Sequence, residues 1–430
     1  MAENSEKISE KVRFAGDVDI NDVTIITAIG FAQTVTPQVV GIEIYEDMFS
    51  MFISGKLILQ DSQEISNLMP LVGEEVIRLK VSTPSLPAKD VYEKEFYIYK
   101  MDDRMKTQER EVVYVLHFIS KEAIIDLNKK ISKAYSGKVS KIVEELITSE
   151  FGLESKKTFN IEDTSNKTKF VSNFWSPTRC LQYCADNAVS VTESPSYVFF
   201  ENKYGFNFIS IETLYAGAPL MQRFIWDNYS AEIGGGSSER DIEKDYQRVI
   251  EFQMSDVFNY IDRLQSGFYG SEIIYYDILT KQYVHTYHQP EFEKQNHLNE
   301  HPLYSSKVAA RPKGLLMHDH MYYNNFEGYS DTTNTQTIQK RKALLSAAEA
   351  YKVTITVFGR TDYSAGQKIY LEVPKNTQIK EFHTKDDIED KLLSGYYLIG
   401  SICHFISREK HECTMELIKD SIKVNLNDPE

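Results

Sequence analysis

The sequence predicts an α+β protein that is mainly β, with two similar antiparallel β-barrel domains, a mixed α/β domain and a loop-rich insertion. Three observations lead there. Runs of β-branched and aromatic residues alternate with polar positions at both ends of the chain. The 27 Tyr and 23 Phe favour strands over helical bundles. One order of runs occurs twice, nearly a whole chain apart, and 430 residues exceed one ordinary core.

The elements follow in order. Residues 1–18 form a polar tail. The first β domain, 19–120, holds "DVTIITAIGFAQ", "VVGIEIYEDMF", "FISGKLILQD", "GEEVIRLKV" and the hairpin "FYIYKMDDRMKTQEREVVYVLHF". From Ser120, placed to cap a helix, the period changes, and 121–245 reads as mixed α/β. There Val139, Ile142, Val143, Leu146 and Ile147 share one helix face that ends before Gly152. A second helix starts with Ser176 as N-cap and Pro177 as its first residue, and buries Leu181, Cys184 and Ala188. The stretch "EIGGGSSERD" at 232–241 is a linker by composition. The second β domain comprises 246–288 and 339–425, interrupted by a polar, aperiodic insertion at 289–338.

The two β domains share an order of elements. Gly73 precedes Val76, Leu79 and Val81, as Gly366 precedes Ile369, Leu371 and Val373, and each set leads into a hairpin. In the hairpins Val112, Tyr114, Leu116 and Phe118 share a face, as do Cys413, Met415 and Leu417. Upstream, 41–61 is expected to correspond to 263–280. Duplication has a physical use: three chains with two modules each match a six-fold ring on one side and a three-fold object on the other.

Composition narrows the function. A net charge of −15 argues against gripping nucleic acid through its phosphates, and suits either a solvated surface or a channel wall past which DNA slides. No apolar run is long enough to span a bilayer and the first residues are polar, so neither membrane insertion nor a cleaved leader is expected. Cys180, Cys184, Cys403 and Cys413 read as buried free thiols, and Trp175 and Trp226 as core aromatics or interface anchors.

Catalytic templates are absent. The sequence has no H-E-x-x-H, G-x-S-x-G, P-loop or G-x-G-x-x-G pattern, and Asp386 with Asp387 reads as a solvated acidic turn. The strongest alternative to a structural role is a metal-dependent hydrolase built on the histidine-rich insertion: His297 and His301, then His318, Asp319 and His320, with His285 and His288 upstream. Pro302 directly after His301 shortens any helix there, and the expectation is no catalytic, metal or cofactor site.

In order over about 20–425, "YVLHFISKEAI", "GKVSKIVEELI", "NFWSPTRCLQYCADNA", "YVFFENKYGFNFISIETL", "FNYIDRLQSGFYGSEIIYYDILTKQY", "YKVTITVFGRTDYSAGQKIYLEVP" and "SGYYLIGSICHFISREKHECTMELIKDS" resemble one family. It is the central hub of the baseplate of contractile-tailed, T-even-like phages, whose fold is shared by the N-terminal part of VgrG spike proteins. The resemblance implies a homotrimer whose two tube-like domains per chain form a pseudo-hexameric ring. That ring joins the six-fold tail tube to the three-fold central spike and leaves a channel for the genome. The implied partners are the spike, the tail tube or a tube initiator, the tape measure and baseplate wedge proteins, with no specific nucleic-acid binding. The implied place is the virion tail, assembled in the host cytoplasm. Only ten residues follow Asp420, so the spike is expected to be a separate chain. The resemblance assigns no interface residue.

Overall fold

A computed structural model describes residues 14–62, 71–84, 86, 90–108, 111–226, 242–256, 259–277, 281–292, 296–304, 313–318, 332–375 and 389–427. The first part contains β1 (Asp19–Ile26), β2 (Ala32–Thr34), β3 (Val39–Asp47), β4 (Ser54–Asp61), β5 (Val76–Ser82), β6 (Tyr92–Gln108) and β7 (Glu111–Ile119). The mixed part has helices Lys121–Asn128, Val139–Thr148, Pro177–Asn187 and Ile211–Ala216. Its strands are β8 (Ala134–Lys138), β9 (Phe159–Ile161), β10 (Lys167–Val171), β11 (Tyr197–Asn202) and β12 (Gly205–Ser210), followed by β13 (Pro219–Ile225). The last part runs from helix Ile242–Gln247 and β14 (Val249–Asp256) through helix Tyr260–Ser266, β15 (Ser271–Asp277), β16 (Gln282–His288), β17 (His301–Pro302), β18 (Lys313–His318) and helix Thr332–Ala348. It closes with β19 (Tyr351–Phe358), β20 (Lys368–Glu372), β21 (Gly395–Ser407), β22 (His411–Lys419) and β23 (Ser421–Ile422).

The duplication is present in the topology. The first copy has the sheet order β3-β4-β7-β6-β5 and the second β14-β19-β22-β21-β20, with every neighbouring pair antiparallel. Both copies also break register at matching points. A bulge between Val39 and Gly41 corresponds to one between Val249 and Glu251, and a bulge between Ile98 and Lys100 to one between Ile399 and Ser401. Bulges are placed features that bend a strand, so their recurrence in the same strands supports a repeated unit. The partner of β3-β4 is therefore β14 and β19, and the correspondence of 41–61 with 263–280 is corrected. Alternation alone cannot tell one amphipathic strand from another.

The copies differ from two separate barrels. Among the described residues they form one open 13-stranded sheet with no closed barrel. The physical reason is the length of β21, whose start pairs with β20 and whose end pairs with β3. Two cores lie along this sheet, and Ile406 of β21 packs into the core of the first copy.

The mixed part has its own core, built on the expected helix faces: Val139, Ile142, Val143, Leu146 and Ile147 pack with Leu181, Cys184 and Ala188. Ser176 caps its helix by accepting from the Arg179 backbone N–H. Ser120 precedes a helix as expected but makes no side-chain cap, because its hydroxyl donates to Glu201 instead. Between β14 and β19, β15 pairs with β16 and β18 in a separate three-stranded sheet. The 232–241 linker lies outside the described residues.

Candidate functional site at the sheet joint

The joint is the antiparallel pairing of Gly41–Asp47 with Ser401–Ser407. Beneath it lies a buried polar set. Glu46 of β3 accepts from the Ser364 hydroxyl at 2.8 Å and the Ala365 N–H at 3.2 Å, and burial pushes its carboxyl up to about 7. Lys203 Nζ donates to the carbonyls of Asp90 at 2.5 Å and Thr361 at 2.6 Å. Thr83 and Thr361 bond to each other on the same side.

Glu201, fully buried on β11, is the centre of an ion network. It accepts from Ser120 Oγ at 2.6 Å, from the Ile53 N–H at 3.3 Å, from Lys157 at 2.7 Å and from Lys94 at 3.5 Å. Lys157 also reaches Glu122 at 2.6 Å, and burial holds Lys94 below the usual lysine range. These contacts tie the first copy to the mixed part, and those of Glu46 and Lys203 with Ser364 and Thr361 add the second copy. Their arrangement fixes geometry: each charge is spent on a partner that holds an element in place.

Three strands to either side of the joint lie two strand edges that are free among the described residues. The described β14 pairs only with β19, and β6 beyond Ile98 has β7 on one side only. Met254 on β14 and Met105 on β6 are 48% and 64% exposed, so these edges also carry apolar surface.

Of the histidines in and just before the insertion, His285 and His297 have separate partners. His285 Nδ1 pairs with Glu272 at 2.8 Å. His297 bonds Asp420 at 2.5 Å through Nδ1 and the Phe292 carbonyl at 2.9 Å through Nε2. His288 and His297 do line one cavity with Glu212 and Asp420, yet both His297 nitrogens are already engaged. His301 pairs with Ile422 through β17, and His318 lies in β18. Asp319, His320, Asp386 and Asp387 lie outside the described residues. Cys180 and Cys184 are core thiols, Trp175 packs on Phe170 and Tyr183, and Trp226 stacks on Phe252.

Sequence reasoning missed a different cluster. His404, His411 and Cys413 are buried together on the β21-β22 hairpin, with Nδ1 of His404 3.1 Å from Nε2 of His411. Cys413 Sγ lies 3.2 Å from the first and 3.5 Å from the second. The available signal was parity: His411 and Cys413 share one face of β22, and His404 stands directly across from Cys413.

No known family profile matches the chain, and no curated protein matches it. Solved structures do share its fold. A tail protein from Neisseria meningitidis MC58 superposes with a TM-score of 0.56 at 10% identity, covering 93% of this chain and 96% of that one. The 43 kDa tail protein of prophage MuSo2 from Shewanella oneidensis gives 0.54 at 10% identity, covering 93% and 98%. The prophage tail protein gp18 from Listeria monocytogenes EGD-e gives 0.48 at 12% identity, covering 92% and 94%.

Proposed function

We propose that the chain is a structural hub of a phage tail baseplate: a homotrimer whose six matched modules form a pseudo-hexameric ring. The ring joins a six-fold tail tube to a three-fold central spike, and its acidic chain suits a channel through which DNA passes without being held. The role is assembly through complementary surfaces, with the spike and the tube or its initiator as partners, in the virion tail after assembly in the host cytoplasm. The fold shared with the Neisseria and Shewanella tail proteins is consistent with it.

One observation carries the reading. The repeat uses its joint once within the chain, β21 of the second copy against β3 of the first, and leaves the equivalent pair, β6 and β14, unpaired. Within one chain β6 and β14 stand on opposite sides of the same sheet and do not pair. Between chains they can, and the same operation repeated closes a ring with head-to-tail contacts.

The repeat also supplies the register. Glu43 pairs with Phe405 at the joint. Aligning the shared bulges sets Gln253 in the place of Glu43; β6 has a further bulge between Asp102 and Met105 that β21 lacks, and past it Met105, opposite Val113 as Phe405 is opposite Glu412, stands in the place of Phe405. Residues paired across antiparallel strands stand about 4.5–5.5 Å apart at Cα, within reach of a disulfide.

The test is the double variant Met105→Cys with Gln253→Cys, oxidised at equilibrium and sized by light scattering and non-reducing electrophoresis, alone and with the spike chain. The expected product is a covalent species at three times the 49.6 kDa chain mass, absent from either single variant. A monomer under both conditions removes the trimer. A double variant that trimerises yet forms no disulfide between chains removes the edge pairing.

A further inference from the structure

We infer that His404, His411 and Cys413 form a structural metal site for a thiophilic d10 cation, Zn2+ or Cu+, in the core of the second copy. The first argument is geometric. The three inward donor atoms stand 3.1, 3.2 and 3.5 Å from one another. For zinc bonds of about 2.05 Å to nitrogen and 2.3 Å to sulfur, tetrahedral edges come to about 3.3 Å between nitrogens and 3.6 Å from nitrogen to sulfur. The triangle already has nearly the shape of one face of a zinc coordination shell. One thiolate and two imidazoles are also the donor set that zinc and cuprous ions prefer over magnesium or calcium.

The second argument concerns protons. Without a cation, neutral imidazoles and a thiol must settle three mutual contacts by hydrogen bonding alone. If Nδ1 of His404 donates to Nε2 of His411, that acceptor is used, and Nδ1 has no lone pair in the ring plane for the Cys413 thiol. Two of the three contacts can be satisfied at once. A cation makes all three donors attractive at the same time, with the sulfur as thiolate and both inward nitrogens unprotonated.

The duplication provides the third argument, because it acts as an internal control. The positions matching His411 and Cys413 in the first copy are Val112 and Tyr114, and Tyr114 is fully buried in the core of that copy, its hydroxyl donating to Asp61 at 3.4 Å. This sheet can therefore be packed without a polar trio, and the second copy departs from its twin at this point alone among the inward positions of β22: Met415 and Leu417 match Leu116 and Phe118. The backbone is shaped to the rings as well. A Cβ on Gly359 would lie 2.3 Å from the His411 ring, so the loop after β19 closes against that imidazole only as glycine.

Burial defines the role. All three side chains are at most 2% exposed, which leaves no approach for a substrate and makes the site structural. His404 stands opposite Ile44 of β3, so a cation there fastens the β21-β22 hairpin beside the joint, where the two copies meet. The inference does not depend on the trimer.

The experiment is elemental analysis of full-length protein expressed with zinc in the medium, followed by chelator stripping and Co2+ titration watched by absorbance. The expected result is about one zinc or copper per chain, the analysis telling the two apart, and a thiolate-to-cobalt charge-transfer band. Both should vanish in Cys413→Ser. They should persist in Cys403→Ser, since Cys403 neighbours His404 on β21 but faces the other way. Wild-type protein with neither stoichiometric metal nor the cobalt band overturns the inference even where the variants fail to fold. Undiminished metal in a folded Cys413→Ser variant overturns it too.

Discussion

Replacing Glu46 by glutamine should stabilise the joint at alkaline pH and do so less as the pH falls. The carboxyl is 1% exposed, receives only the Ser364 hydroxyl and the Ala365 N–H on one oxygen, and has no partner for the other. Burial therefore raises its folded value to about 7, from 4.5. Between those values the folded chain holds a proton that the unfolded chain has released, so stability falls as pH rises through the window and levels off above about 7. A gap of about 2.5 pH units, at 1.36 kcal/mol each, makes the full cost about 3 kcal/mol. Glutamine keeps the acceptor oxygen and carries no charge, so it imitates the protonated acid. The variant should exceed wild type by about 3 kcal/mol at pH 8 and by about 1.4 kcal/mol at pH 5.5. Hydrogen exchange at the amides of β3 and β21 in chelator-treated protein measures opening of the joint itself, free of any buried cation. A variant no more stable than wild type at pH 8, or an advantage unchanged between the two pH values, would refute the reasoning.

Two further substitutions probe the same region. Glu201→Ala leaves the largely buried Lys94 and half of the Lys157 pairing without their carboxylate, and should cost about 3–5 kcal/mol, read as a lower midpoint in urea unfolding. Gly55→Ala puts a Cβ 2.3 Å from both the Glu43 carbonyl and the Phe118 ring, so β3, β4 and β7 must separate; a loss of about 1–3 kcal/mol by thermal unfolding is expected.

Much of the local structure was legible because it is written in neighbouring residues. The helix face from Val139 to Ile147, the Ser176 cap with Pro177 behind it and the alternation in both hairpins all depend on contacts within a few positions. The joint was not legible. Ser401 pairs with Asp47 across nearly the whole chain, and no local pattern states which strand receives β21. The same limit misplaced 271–288: β15 and β16 alternate as barrel strands would, yet they build a separate sheet with β18. Glu201, Lys94 and Lys203 look like solvated charges in one dimension and become buried only when three parts of the chain close over them. The His404, His411 and Cys413 cluster escaped because metal templates are written along one strand or helix, whereas these ligands face each other across a hairpin.

The differences between the copies bear on the proposed hub as directly as their likeness. In the first copy, β3 passes to β4 through residues 48–53; in the second, the chain between β14 and β19 runs through 257–350 and includes, among the described residues, a separate sheet and two helices. Strand order and two of the bulges are kept in both, so whatever meets the sheet meets two similar modules. Whatever meets the insertion meets one. In a trimer the conserved sheet would present six similar surfaces and the insertion three, which is the division of labour an adaptor between a six-fold tube and a three-fold spike requires. If the insertion serves the three-fold side, deleting part of it should weaken spike binding while leaving the Met105–Gln253 edge, and the ring it closes, in place. The two functions would then separate along the same line that separates repeated from unrepeated sequence.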